Sequence, residues 1–152
     1  MIAVIQRVFK AKVISDGVLT GEINKGLYIL LGVGKEDTEE DARLLAEKIA
    51  KLRIFTDTND KMNLSVKDID GEVLVVSNFT LLANYSHGNR PEYFSAAAPA
   101  VANLLYEHFV ALISQEVKNC MTGVFGADMK TEMETDGPVT IVMDSKLLKK
   151  KG

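Results

Sequence analysis

Apolar and polar positions separate most sharply at Glu72 to Leu82, EVLVVSNFTLL. Val73, Leu74, Val75 and Val76 run without a polar break. Such a run fits a central strand covered on both faces better than one with a wet side. The strand is predicted to continue through Ser77, Asn78, Phe79 and Thr80, so it carries hydroxyl and amide groups at its end. Asp70-Gly71 supplies the turn before it.

The remaining pattern predicts mostly strands. Met1 to Val8 is one and Lys10 to Ile14 another, with Ser15-Asp16-Gly17 turning into Val18-Leu19. Asn24-Lys25-Gly26 turns again, and Leu27 to Val33 is a short apolar strand. Asp37-Thr38 then opens a helix, with Glu40 or Asp41 as the capping-box partner. Ala42, Leu45, Ile49 and Leu52 share its apolar face. Ile54-Phe55 is a short strand, Asp57 to Asp60 a turn, and Ala83 to Pro91 a polar loop.

Pro99 starts a second helix, where its missing N–H does no harm. Val101, Leu104, Leu105, His108, Phe109, Leu112 and Ile113 follow the helical period. Asn119 to Met121 is a strand and Gly123 to Asp128 a tight connection. Met129, Thr131, Met133 and Thr135 alternate with Lys130, Glu132 and Glu134, which marks a half-exposed strand. Asp136-Gly137-Pro138 reads as a hairpin turn into a last strand, Val139 to Met143. Eight to ten strands with two helices make a mixed α/β class. One domain is expected over residues 1–145, followed by a frayed basic tail, 146–152.

Composition narrows the function classes. The chain has 152 residues, 47% hydrophobic, enough for a single core. A net charge of −3 argues against a general nucleic-acid coat and leaves room for a small basic patch. One cysteine, Cys120, permits no intrachain disulfide. The N-terminal MIAVIQRV lacks the pattern of a signal peptide, and no run is long enough to span a membrane. A soluble, cytoplasmic protein is expected.

The search for chemistry is mostly negative. One Cys and two His stand in no metal-ligand spacing. GVGKED lacks the glycine pattern of a phosphate loop, and no nucleophile elbow is present. His108 reads as a packing histidine, His87 as a solvated one and Cys120 as a small apolar residue. No carboxylate pair stands out for acid/base work. Ser77 and Thr80 remain, either as nucleophiles or as hydroxyls that satisfy neighbouring backbone groups.

The blocks MIAVIQRV, GLYILLGV, KIAKLRIF, KMNLS, VLVVSNFTL, GNRP, TGVFGADM and DGPVT, in this order, strongly resemble the D-aminoacyl-tRNA deacylase family from Met1 to about Asp144. That resemblance implies a three-layer α/β/β arrangement with a mixed, barrel-like sheet and two main helices. It implies a cofactor-free homodimer that removes D-amino acids from tRNA, and glycine from alanine tRNA, with no membrane or DNA partner. The family's Ser-Gln-Phe-Thr-Leu motif falls on Ser77, Asn78, Phe79, Thr80 and Leu81. Its Gly-Pro motif falls on Gly137, Pro138, Val139 and Thr140, the proline cis and its carbonyls aimed into the partner's pocket. Arg7 is expected to hold that loop, and Met129 to line the substrate site.

Two positions depart from the family pattern. Asn78 replaces glutamine and Thr135 replaces asparagine. If the glutamine amide touches substrate, Asn78 must reach it by a small strand shift or through water. The resemblance further suggests that the amides of Phe79 and Thr80 stabilise the oxyanion and that the ribose 2′-hydroxyl assists proton transfer. Lys61, His87 and Arg90 are candidates for contact with the RNA end, with Lys10 and Lys12 further out. Two other readings stand beside this one. The first is a tRNA-end binding module without catalysis. The second is a small-molecule ester hydrolase using Ser77 or Thr80.

Overall fold

The computed structural model describes residues 1–149, so the last part of the basic tail, 150–152, lies outside the described residues. Two long strands form the spine. β1 (Ile2–Ser15) pairs antiparallel with the strand Met129–Asp144, from Ile2 opposite Asp144 to Ser15 opposite Met129. The remaining strands are β2 (Val18–Ile23), β3 (Gly26–Gly32), β4 (Phe55–Thr56), β5 (Met62–Leu64), β6 (Glu72–Ser77) and β7 (Cys120–Thr122), which makes Met129–Asp144 β8. The main sheet runs β2-β1-β3-β6-β7, with β8 on β1, and β4-β5 is a separate ribbon. β3, β6 and β7 are parallel to one another, so the sheet is mixed. Its far edges approach each other where β2 meets β7, which gives the nearly closed, barrel-like shape.

Both spine strands were expected as two pieces. In β1 the alternation loses phase because Arg7 and Val8 are buried in succession, followed by exposed Phe9 and Lys10. The pairing with β8 shifts register there. In β8 the expected hairpin at Asp136-Gly137-Pro138 is a bulge. Gln6 opposes Thr140 and Val8 opposes Thr135, so residues 136–139 stand opposite Arg7. Turn-forming residues suit a bulge as well as a hairpin, and only the partner strand decides between them.

Helix α1 (Glu39–Lys51) begins with the expected box, closed by Asp41: the Thr38 N–H donates to Asp41 Oδ2 at 2.8 Å. Helix α2 (Pro99–Ser114) buries Leu105, Phe109 and Ile113. Val101 and Leu104, expected on the same face, are exposed at 48% and 67%. The two helices lie together on one face of the sheet, where Leu45, Ile49 and Phe109 meet Ile5, Ile29, Leu31, Val73 and Val75. On the other face Leu74 and Val76 join Val8, Val13, Ile23 and Tyr28. The central strand is therefore covered on both sides, as its apolar run predicts. Each such side chain contributes about 1.5–3 kcal/mol by leaving water.

The tail does not fray where expected. Ser145–Leu148 forms a 3₁₀ turn, and Ser145 is fully buried with its Oγ donating to Asp41 Oδ1 at 2.7 Å. The packed unit thus continues past residue 145 onto α1.

Candidate functional site

The end of β6 builds the site. The predicted strand through Leu82 stops at Ser77, and Phe79–Leu82 is a 3₁₀ turn. Asn78 still donates its N–H to Leu31 O at 2.8 Å, continuing the ladder by one bond. Its side chain then ends the strand, because Oδ1 accepts both the Thr80 N–H, at 3.2 Å, and the Thr80 hydroxyl. A short amide of this kind offers the backbone an alternative to the ladder. Gly32 lets the turn settle on β3, since a Cβ there would lie 2.7 Å from Leu82 Cδ2 and 2.9 Å from Asn78 O.

Around this turn opens a cleft of about 760 Å³. Tyr28, Leu31 and Val76 line it from the sheet, and Ser77, Asn78 and Phe79 from the strand end. Tyr93, Phe125 and Met129 complete the aromatic and apolar lining, with Ala96, Ala97 and Ala98 leading to the start of α2. Phe79 is 58% exposed and meets Tyr93 edge to face, centroids 5.1 Å apart. Among the described residues the Phe79 N–H has no acceptor and the Ser77 hydroxyl no hydrogen-bond partner.

Two of the three tyrosines that line the cleft, Tyr28 and Tyr106, are held protonated. Burial pushes the Tyr28 and Tyr106 hydroxyls up. Tyr106 donates to Val75 O at 3.0 Å, and Tyr28 shares a 3.1 Å hydrogen bond with Thr131. Cys120 is half-buried and its thiol is raised by burial, far from a reactive thiolate. Among the described residues no three His, Cys, Asp or Glu side chains gather as a metal site would need, and no helix is long and apolar enough to cross a membrane.

The second motif lies elsewhere in the same chain. The Gly137-Pro138 peptide is cis, and both residues are exposed on the bulge, outside the cleft lining. Gly137 has φ +137°, and a Cβ there would stand 2.5 Å from the Val139 nitrogen. Val139 is buried in the core, and Thr140 is exposed beside Gln6. Arg7, 8% exposed, clamps the bulge from beneath. Its Nε and Nη2 donate to the Asp136 carbonyl and carboxylate at 3.3 and 3.2 Å, while Nη1 donates to Ile54 O at 2.8 Å.

Thus the chain brings together Ser77, Asn78, Phe79 and Met129, and separately Arg7, Gly137 and Pro138. Lys61 is exposed at the β4-β5 turn, and His87 and Arg90 in the loop closed by the Asn84–Glu92 backbone pair; none lines the cleft. Tyr93 and Phe125 escaped the sequence reading. The adjacent aromatics Tyr93-Phe94, just past the polar loop, were the available signal for Tyr93, and the glycine-bearing connection hid Phe125.

Known proteins share this pattern. The sequence profile described as D-Tyr-tRNA(Tyr) deacylase matches residues 4–144. A protein of Clostridium botulinum strain Langeland named D-aminoacyl-tRNA deacylase is 53% identical over 146 residues, covering 96% of this chain and 98% of its own. One of the same name from a Sulfurihydrogenibium species is 55% identical over 148 residues, 97% of this chain and all of its own. Among solved structures, one titled c-Myc DNA Unwinding Element Binding Protein superposes with a TM-score of 0.89 at 35% identity, covering 95% of this chain and 98% of that one. A probable eukaryotic D-amino acid tRNA deacylase shares the fold at TM-score 0.82 and 15% identity, covering 94% and 98%. With a profile matched along nearly its whole length and relatives at half identity or more, this chain belongs to the D-Tyr-tRNA(Tyr) deacylase family.

Proposed function

We propose that the protein hydrolyses the ester between a D-amino acid and tRNA, using main-chain donors in place of a catalytic triad. The observation that carries this reading is Phe79, whose N–H has no acceptor among the described residues, on the lining of an apolar cleft that offers no acid or base side chain. An aminoacyl ester is already activated, so positioning and oxyanion stabilisation suffice. Water attacks the ester carbonyl, the carbonyl oxygen takes the negative charge, and the Phe79 N–H holds it. On collapse the bond to the ribose 3′-oxygen breaks. That oxygen receives the proton given up by the attacking water, relayed through the neighbouring 2′-hydroxyl, which releases the free amino acid and the intact RNA end. One such donor is worth about 3–4 kcal/mol in the transition state.

The Thr80 amide, expected as a second donor, is engaged by Asn78. The Thr80 hydroxyl also gives its proton to that side chain, an amide oxygen and no base, which weighs against a covalent threonine nucleophile.

Chirality is read by a second copy of the chain. Gly137 and Pro138 are exposed residues outside the lining of their own cleft, so a homodimer is the arrangement that brings their carbonyls to one. There they accept hydrogen bonds from the substrate ammonium and fill the space an L side chain needs. Glycine has no side chain to exclude, so glycine on alanine tRNA passes the same filter. Lys61, His87 and Arg90 carry no ion pair among the described residues and are the RNA contacts of this reading, whereas Lys10 and Lys12 are paired with Glu134 and Glu132. Charged tRNA is found where translation occurs, so the proposed place of action is the cytoplasm.

The test is release of D-tyrosine from D-tyrosyl-tRNA, with L-tyrosyl-tRNA as control and the oligomeric state measured alongside. Cleavage of the D-ester alone by a dimer is expected. Binding of the RNA without turnover would instead make the protein a tRNA-end binding module.

A further inference from the structure

We propose that Asn78 is the positioning residue of this site, acting through the turn it caps. The inference rests on the deacylase reading for its kinetic consequence and on geometry alone for the cap. Asn78 sits in extended conformation at φ −150°, ψ 94°, and its Oδ1 takes two donors of one residue, the Thr80 N–H and the Thr80 hydroxyl. Two donors on the same atom identify it as the amide oxygen. The Asn78 carbonyl accepts the Leu81 N–H at 3.4 Å, and the Thr80 carbonyl accepts the Ala83 N–H at 3.1 Å, so the turn is closed at each step. The Phe79 N–H is the one backbone donor of this segment left without an acceptor among the described residues.

The cap therefore has two effects. It withdraws Thr80 from chemistry by occupying both of its protons. It also fixes the peptide between Asn78 and Phe79, two residues that line the cleft. Asparagine is among the side chains that cap well, and glutamine is not. The departure from the family's glutamine is thus what permits this local lock. A donor held within a few tenths of an ångström keeps its full electrostatic effect, and a loosened one does not.

The test compares the full chain with Asn78→Ser and Asn78→Ala. Serine keeps an acceptor oxygen for the cap and removes the amide nitrogen, and alanine removes both. Hydrogen exchange read by NMR should find the Thr80 amide protected in the parent and in Asn78→Ser, and about tenfold faster in Asn78→Ala, the change expected for a lost cap. On D-tyrosyl-tRNA, Asn78→Ser should stay close to the parent. Asn78→Ala should lose kcat by about 10- to 100-fold with KM little changed, as for a misplaced transition-state donor. Equal losses in the two variants would overturn the proposal, because the amide nitrogen would then be the working group. Unprotected exchange at Thr80 in the parent would overturn it too. A parent that never cleaves the D-ester would reject the deacylase reading, while the exchange result still decides the cap. If Asn78→Ala does not fold, the serine variant alone separates the two outcomes.

Discussion

Two breaks in regular structure hold the two motifs, and they are held in opposite ways. At residues 78–82 the strand ends because of a neighbour two positions away, Asn78 on Thr80, at the protein surface. At residues 136–139 the strand bulges because a buried guanidinium far back in the chain, Arg7, grips Asp136 from below. The first is local, exposed and replaceable. The second is set by a remote, buried side chain that is shared with the backbone of Ile54. The contrast teaches where each break is vulnerable: damage to the bulge should unsettle the fold, whereas damage to the turn should first appear in kinetics.

The sharpest way to break the contrast is Arg7→Ala. It leaves the Asp136 carboxylate without its partner and Ile54 O without its donor. The Asp136 side chain is 21% exposed, so losing these charge-assisted hydrogen bonds should cost about 3 kcal/mol rather than the larger penalty of a fully buried pair. Urea denaturation should register that loss, and D-tyrosyl-tRNA turnover should collapse with it. A loss well under 1 kcal/mol would mean the bulge holds its own shape.

Next in size is Gly137→Ala. At φ +137° an L side chain is strained, and its Cβ would press on the Val139 nitrogen at 2.5 Å. We expect about 2 kcal/mol of destabilisation, in the range for residues forced into such backbone regions. The ratio of D- to L-tyrosyl-tRNA cleavage should fall. An unchanged ratio in folded protein would separate the bulge from substrate selection.

A third test concerns the far end of β8, where Ser145 bonds Asp41. Burial works to raise the Asp41 pKa, but hydrogen bonds from Ser145, the Thr38 backbone and Lys149 outweigh it and hold the group at about 2. A carboxyl with its folded pKa below its unfolded value adds stability above the unfolded pKa, near 3.8, and loses it as pH falls through 2. The contribution is about 2 kcal/mol at neutral pH. Comparing parent and Asp41→Asn across pH 2–6 should show the parent's advantage vanish at the acid end. A constant difference would assign the anchor to packing.

How much of this the sequence announces depends on the same local and remote distinction. The central strand, the Thr38–Asp41 box and α2 from Pro99 depend on neighbours within a turn or two, and they are legible. The continuity of β1 and β8 depends on pairing across more than a hundred residues, so Asp136-Gly137-Pro138 reads as a hairpin until Arg7 is seen opposite it. The strand end at Ser77 was misplaced for a subtler reason. Phe79 and Leu81 extend the apolar pattern, and the Asn78 cap overrides it. Family resemblance marked the two motifs, but the aromatic walls, Tyr93 and Phe125, come from segments that fold against the cleft only in three dimensions.

The smallest expected effect bears most directly on the turn. Thr80→Val keeps the backbone N–H on Asn78 Oδ1 and removes only the hydroxyl. The lost bond is partly exposed, so stability should drop by about 0.5–1 kcal/mol. Turnover should fall less than about tenfold if, as proposed, the Phe79 N–H is the donor and water the nucleophile. Removing a true covalent nucleophile costs far more, on the order of 10⁶ where it has been dissected. Single-turnover cleavage of D-tyrosyl-tRNA distinguishes these sizes without ambiguity from product release. A modest loss keeps Thr80 as a partner of the cap, so the turn differs from the bulge in being tuned by a side chain rather than built on one. A collapse of turnover would move the chemistry onto the hydroxyl and make the local break the more essential of the two.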